Sequence, residues 1–196
     1  MMRVVSLLFV LSTFFTSACV ATYVEGERRP GYEDVRFSKI VVYCESQNDA
    51  VREDVERAFA YSVGGPGLVA VPSIEVLNEP REYSDEETRT IMDGRGFDGL
   101  VRIRIEDWSS ETRRYPGATT TYFGPYGVHV VHDPPHASTS TRLALALTLH
   151  DRRSGGEAWS GTADAESGGH RDLRDLARAA GGRLREHLWK NHLIGR

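Results

Sequence analysis

Three histidines and an aspartate within eight residues of the central chain are the side chains best suited by type to bind a metal ion. They are His129, His132, Asp133 and His136. Imidazole and carboxylate groups ligate zinc or copper, and a structural site needs about four converging ligands. Side chains alternate along a strand, however, so His129 would point away from His132. We therefore keep a metal site at His129, His132 and His136 as an alternative hypothesis.

Two other stretches have the residue types of a cofactor-binding or catalytic motif but lack the structural context that the motif requires. Residues 94–99 fit G-x-G-x-x-G, but that fingerprint must follow a strand and open a helix, whereas here it ends a predicted helix and opens a strand. Asp85, Glu86 and Glu87 lie in the first turn of a predicted helix, where acids interact favourably with the helix dipole. No G-x-S-x-G, H-E-x-x-H or S-x-x-K motif occurs. We predict that the protein is not an enzyme and needs no cofactor.

The charge balance argues against a nucleic-acid partner. The chain has 24 Lys and Arg against 28 Asp and Glu, for a formal net charge of -4. Nucleic-acid-binding proteins usually carry a strongly basic patch. The length of 196 residues suits one domain with a real core, and we expect no second one.

The start of the chain resembles a bacterial lipoprotein signal peptide. One basic residue, Arg3, precedes an apolar run over residues 4–15, and small residues lead to Cys19. This is the three-part secretory pattern, with a cysteine at the cleavage position as in a lipobox. We predict that residues 1–18 are removed and that Cys19 is lipidated, which would anchor the protein to a membrane. Val20 is not the aspartate that marks inner-membrane retention in some bacteria, so analogy favours the outer membrane.

Two alternatives to lipidation follow from the same residues. A transmembrane anchor is excluded by length, because the apolar run rises only about 18 Å as a helix against a hydrocarbon core of roughly 30 Å. A soluble secreted protein stays open, and Cys19 could then form a disulfide with Cys44. If Cys19 carries lipid, Cys44 has no cysteine partner and is a small buried residue in an apolar run.

The remaining pattern predicts an α/β (α+β) fold: a two-layer sandwich with a mixed, largely antiparallel sheet and helices packed on one face. Residues 19–36 lack an apolar period and are predicted to be a lipid-anchored tether, followed by one domain over residues 37–196. The predicted strands are 39–44, 68–71, 98–108, 142–150 and 157–165, and the predicted helices are 48–62, 84–95 and 172–190.

Residues 142–161, R-L-A-L-A-L-T-L-H-D-R-R-S-G-G-E-A-W-S-G, resemble a strand, turn and strand found in small bacterial envelope lipoproteins of unknown function. The curli-secretion and penicillin-binding-protein-activator lipoprotein group has a similar strand pair. The resemblance covers roughly residues 38–194 and implies a fold and an envelope location. Its motif residues, Asp151, Ser154, Gly155 and Trp159, would form a turn and a packing anchor, so it implies no active-site residue.

Residues 109–136 are predicted to be a long loop and are the strongest candidate for partner recognition. Its aromatic residues lie among Gly and Pro: Tyr115, Tyr122, Phe123 and Tyr126. Tyrosine offers a large contact area with little conformational entropy to lose, and loops on a rigid scaffold often carry function. The alternative is a long hairpin whose turn, residues 123–128, packs its own aromatic side chains.

Together these features predict a periplasmic lipoprotein, anchored to the outer membrane through Cys19. We expect it to act by protein binding, as an accessory or assembly factor of the cell envelope. The sequence identifies neither the protein partner nor the oligomeric state. The alternatives are a periplasmic metal-binding protein and an enzyme whose site has no recognised motif.

Overall fold

The protein folds around a six-stranded mixed sheet, and a computed structural model describes residues 20–77, 85–124 and 127–195. The elements in chain order are β1 (Val20–Arg28), β2 (Lys39–Cys44), α1 (Asp49–Val63), β3 (Val69–Pro72), α2 (Ser73–Val76), α3 (Asp85–Gly94), β4 (Gly99–Tyr115), β5 (Ala118–Gly124), β6 (Gly127–Asp133), β7 (His136–Asp151), β8 (Glu157–Gly168) and α4 (Leu173–Lys190). The strand order is β1-β8-β7-β4-β2-β3, and β5 and β6 form a separate two-stranded hairpin. β2 runs parallel to β3 and β4, and the other neighbours are antiparallel. The predicted α/β fold class is confirmed.

The main core lies between the sheet and the helices α1 and α4. Alternate residues of β7 point to this side, which we call the inner face, and they meet the apolar stripe of α4. The fully buried residues here include Leu143, Leu145, Leu147, Leu149, Ile103, Phe59, Leu176 and Leu184. Asn48 caps α1 as predicted, because its side-chain oxygen accepts hydrogen bonds from the backbone N–H groups of Ala50 and Val51.

A smaller apolar cluster covers one end of the opposite side of the sheet, which we call the outer face. It joins Val41 and Leu100 of the sheet to Val76 of α2, Met92 of α3 and Phe97. Across β7, β8 and β1 the outer face carries mainly polar side chains and alanines instead, as expected for an antiparallel sheet that has one solvated side.

The first strand corrects the predicted domain boundary. β1 pairs antiparallel with β8 from Val20 opposite Ser167 to Arg28 opposite Trp159. Its residues alternate between half-buried and exposed, and Val20 and Val24 pack against the main core. The prediction of a flexible tether over residues 19–36 is therefore wrong for β1, and the folded domain includes residues well before residue 37.

Glu56 of α1 is a fully buried carboxylate that joins three elements. One oxygen accepts a hydrogen bond from the Cys44 N–H at 3.0 Å and the other accepts from the Ile74 N–H at 3.1 Å. The Ser73 hydroxyl donates to the same carboxylate at 2.7 Å. Burial raises the pKa of Glu56 above its ordinary 4.5, so this group alone makes folding less favourable as pH rises from 4.5 to the raised value.

We predict that Glu56→Gln lowers the free energy of unfolding by about 1–3 kcal/mol. An amide offers one oxygen, so either the Cys44 or the Ile74 N–H would face an NH₂ group. The matched control is Glu53→Gln on the same helix, where a half-exposed ion pair with Arg57 contributes little. Urea unfolding measures both variants, and equal losses would contradict the role of the buried carboxylate.

Trp159 of β8 is the largest fully buried side chain, with 1% of its surface exposed. Its indole lies over Gly26 of β1 and close to Gly161, so that a Cβ atom at either glycine would collide with the ring. On the helix side the ring meets His187 of α4 edge to face, with 5.5 Å between centroids. Trp159 therefore holds the β1 edge of the sheet to α4, as the predicted packing anchor should.

We expect Trp159→Ala to cost about 3–5 kcal/mol, because it removes a large buried ring and leaves a cavity. The control is Trp108→Ala, since the Trp108 side chain is 52% exposed; a surface change of this kind shifts stability by only about 0.5 kcal/mol. Thermal or urea unfolding gives both values. A small loss for Trp159→Ala would mean that the edge of the sheet is held by other contacts.

Candidate functional site

The longest strands continue past the sheet and form a projecting β-arm. β4 and β7 pair from Gly99 opposite Asp151 to Tyr115 opposite His136, whereas β8 ends opposite Ser140. We define the β-arm as residues 112–124 and 127–139: a stem of the last four β4–β7 pairs, and a tip hairpin made of β5 and β6. The prediction of a loop over residues 109–136 is wrong. The sequence shows no apolar period here because both faces of the arm are exposed.

The predicted recognition residues occupy two different parts of the β-arm. Tyr115 lies on the stem, stacked on His136 with 5.0 Å between ring centroids. Tyr122 and Phe123 lie on the tip hairpin, opposite His129 and Val128, and are 57% and 86% exposed. Tyr126 falls outside the described residues. The hairpin alternative was right about the pairing of the two strands, but it expected packed aromatic side chains and Phe123 is exposed.

The three candidate metal ligands are not brought together. β6 is a continuous strand, so His129 and His132 lie on opposite faces of the tip hairpin. The His132 Nδ1 atom is 2.9 Å from the Thr119 hydroxyl, and His136 stacks on Tyr115 in the stem. Among the residues that the structure describes, no three or more His, Cys, Asp or Glu side chains gather in a way that could hold an ion. The geometry therefore gives the metal hypothesis no support.

A groove of about 560 Å³ lies on the outer face at the base of the β-arm, lined by β1, β4, β7 and β8. We call it the outer groove. Its charged side chains are Asp107, Glu111, Arg142, Asp164 and Glu166. Arg142 donates to Asp164 at 2.6 Å, and this hydrogen bond raises the pKa of the guanidinium. The groove is thus a polar, open surface with fixed charges of both signs.

A bulge in β4 gives the outer groove its acidic wall. Ile105 pairs with Leu145 but Asp107 pairs with the next residue, Ala144, so Glu106 is an extra residue in β4. Val101, Ile103 and Ile105 point to the inner face before the bulge. After it, the odd-numbered residues point outward. Asp107, Ser109 and Glu111 therefore line the groove instead of facing the helices.

Two of the ionisable side chains with clearly shifted pKa values are Glu111, on the wall of the outer groove, and Cys44 in β2, away from the groove. A hydrogen bond from Arg113 lowers the pKa of Glu111, which keeps that carboxylate ionised and makes it a weak proton donor or acceptor at neutral pH. The Cys44 thiol is buried, and burial raises its pKa to about 12, so it is a poor nucleophile.

Sequence reasoning missed the outer groove because polar residues at the outward positions of a strand are the ordinary pattern of a solvent-exposed sheet face. The predicted strands 142–150 and 157–165 contain Arg142 and Asp164, but neither residue was selected as part of a site. What the sequence did not show is that β1 and the bulged part of β4 extend this face into a groove.

The proposed lipidation site, Cys19, lies outside the described residues. None of the described helices is long and apolar enough to span a bilayer.

Comparisons with solved structures relate the fold to bacterial proteins of known structure. No protein-family model matches the chain, and no curated protein matches it in sequence. PelC from Paraburkholderia phytofirmans, solved as a dodecamer, is similar over 90% of this chain and 100% of its own, with 13% identity and a TM-score of 0.52. The lipoprotein GNA1162 from Neisseria meningitidis matches 78% of this chain and 99% of its own, with 14% identity and a TM-score of 0.43. The likeness to PelC shows a shared fold.

Proposed function

We propose that this chain is a lipid-anchored protein of the bacterial cell envelope that acts by protein binding, as an accessory or assembly factor. The anchor is Cys19, and the folded domain faces the periplasm, with the outer membrane as the favoured location. Three observations support the compartment: the signal-like pattern of residues 1–19, the resemblance of residues 142–161 to the curli-secretion and penicillin-binding-protein-activator lipoproteins, and bacterial lipoproteins among the similar structures.

The observation that carries the binding role is the outer groove together with the stem beside it. The groove is concave and lies on the sheet face that α1 and α4 leave open. Tyr23 of β1 lines the groove and is 63% exposed, and Tyr115, further out on the stem, is 44% exposed. Tyrosine and arginine beside one another are typical of the residues that contribute most to protein–protein affinity.

A second copy of the chain is one partner that this fold accommodates, because PelC was solved as a dodecamer. Such a partner would place an outer groove in contact with the surface of the next subunit. Heterologous contacts of this kind generate closed rings when the rotation between subunits closes. The experiments below separate a second copy from a different protein by the mass of the crosslinked product.

We predict that Cys19→Ser moves the protein from the membrane fraction to the soluble periplasm, since only the acyl chains would hold it to the bilayer. Fractionation and mass spectrometry of the mature N-terminal peptide measure the change. The control is Cys44→Ser, at a buried thiol that has no role in anchoring. An unmodified Cys19 peptide together with unchanged membrane fractionation would contradict the anchor.

We predict that a photo-crosslinking amino acid at Tyr23 or Tyr115 captures a defined protein in intact cells. The same amino acid at Tyr61, which is 80% exposed on α1, should not capture it. Adduct masses read by immunoblotting distinguish a second copy from a different protein. Equal capture from all three positions would mean that capture does not depend on the outer groove, and capture from Tyr61 alone would place the binding surface on the helical side; either result would remove the outer groove from the proposal.

A further inference from the structure

The position of the proposed anchor follows from the register of the sheet. Val20, the first described residue, pairs with Ser167, which pairs with Thr141, which in turn pairs with Ser110. These four residues form one row across the sheet. Neighbouring strands are about 4.8 Å apart, so the start of β1 lies roughly 10 Å from β7 at the base of the β-arm.

The chain leads back from Val20 in the direction in which the β-arm leaves the sheet. β1 is antiparallel to β8, β8 to β7, and β7 to β4. The direction along β1 from Arg28 to Val20 is therefore the direction of β4 towards Tyr115. Cys19 directly precedes Val20 in the sequence, and consecutive Cα atoms are only about 3.8 Å apart. A lipid on Cys19 would thus hold the bilayer surface at the edge of the sheet from which the arm projects.

We propose that the tip hairpin of the β-arm lies against the lipid bilayer, in its interfacial region, beside the acyl anchor. This inference rests on the anchor at Cys19 proposed above. The stem has only four residue pairs, about 13 Å, so an arm that runs along the bilayer surface, and not into it, keeps the tip hairpin in the interfacial region beside the anchor. The outer groove, on the face of the sheet, remains open to the periplasm.

The composition of the tip hairpin fits this location. No Asp, Glu, Lys or Arg occurs between Arg114 and Asp133, in a chain whose residues are 27% charged. Its large side chains are exposed: Phe123 by 86%, Val130 by 64%, Val128 by 59% and Tyr122 by 57%. Aromatic side chains favour the membrane–water interface, where an apolar body and a polar tip are both accommodated.

The backbone sets how deep the tip hairpin can lie. Its strands are 7 residues long, whereas a strand that crosses a bilayer needs about 9–11. Both outer edges of a two-stranded hairpin present unpaired N–H and C=O groups, which are costly to place in hydrocarbon. The tip therefore lies at the level of the headgroups, where water and polar groups satisfy those edges.

The test places a tryptophan at Phe123 in the mature chain and reads its emission on vesicles of phosphatidylcholine and phosphatidylglycerol that contain dibrominated lipid. Cys19 is coupled to a maleimide phospholipid, so the result does not depend on whether cells lipidate it. The buried Cys44 is protected from the same reagent. Each variant is compared with the parent chain to subtract the native tryptophans, and Tyr61→Trp near the far end of α1 is the matched control.

We expect the Phe123→Trp emission to shift to shorter wavelength and to lose most of its intensity to brominated lipid, while the Tyr61→Trp emission is unchanged. Absence of quenching at Phe123→Trp on tethered protein would overturn the inference. So would equal quenching at both positions. A hairpin covered by protein would leave Phe123→Trp unquenched on vesicles and give protein adducts from position 123 in cells. Failure of lipidation itself appears separately, in the mass of the Cys19 peptide from cells.

Discussion

The pairing of β4 with β7 is the interaction on which the rest of the structure depends. It supplies the leucine row of the main core, one wall of the outer groove and the whole stem of the β-arm. Since side chains alternate along a strand, a slip of one residue would turn the core row out to solvent. The extra residue at Glu106 changes the phase of β4 at one point, which lets a single strand serve the core on one side of the bulge and a polar surface on the other.

Much of the fold could be predicted from the sequence because the apolar residues on the buried side of a helix or strand recur at a regular spacing. The leucines of β7 alternate, and α4 carries a clear apolar stripe, so α4 was expected within one residue of its observed bounds and the core part of β7 was expected from residue 142, although the strand begins at His136. The edge strand β1 and the β-arm show no such regular spacing of apolar residues, because their outward side chains are exposed to water. Gly26 shows the difficulty: in sequence it indicates a linker, whereas in the structure it makes room for the indole of Trp159.

The candidate surfaces were predictable only in part. Tyr115, Tyr122 and Phe123 were selected as one recognition patch, yet strand geometry divides them between the stem and the tip hairpin. The buried Glu56 was missed, although it shares a helical face with Ala60 and Val63, an arrangement that points a carboxylate into the core. Its partners, Cys44, Ser73 and Ile74, are distant in sequence, so its hydrogen bonds could not be inferred from spacing.

The pairing of β1 with β8 also sets an order of events during synthesis. It joins residues 20–28 to residues 159–167, which are far apart in the chain. Contacts of such high sequence separation form slowly, and here they must wait until β8 has been synthesised. Residues 20–28 therefore have no strand to pair with until most of the described chain exists. The first strand of the sheet to be made is thus among the last to be paired.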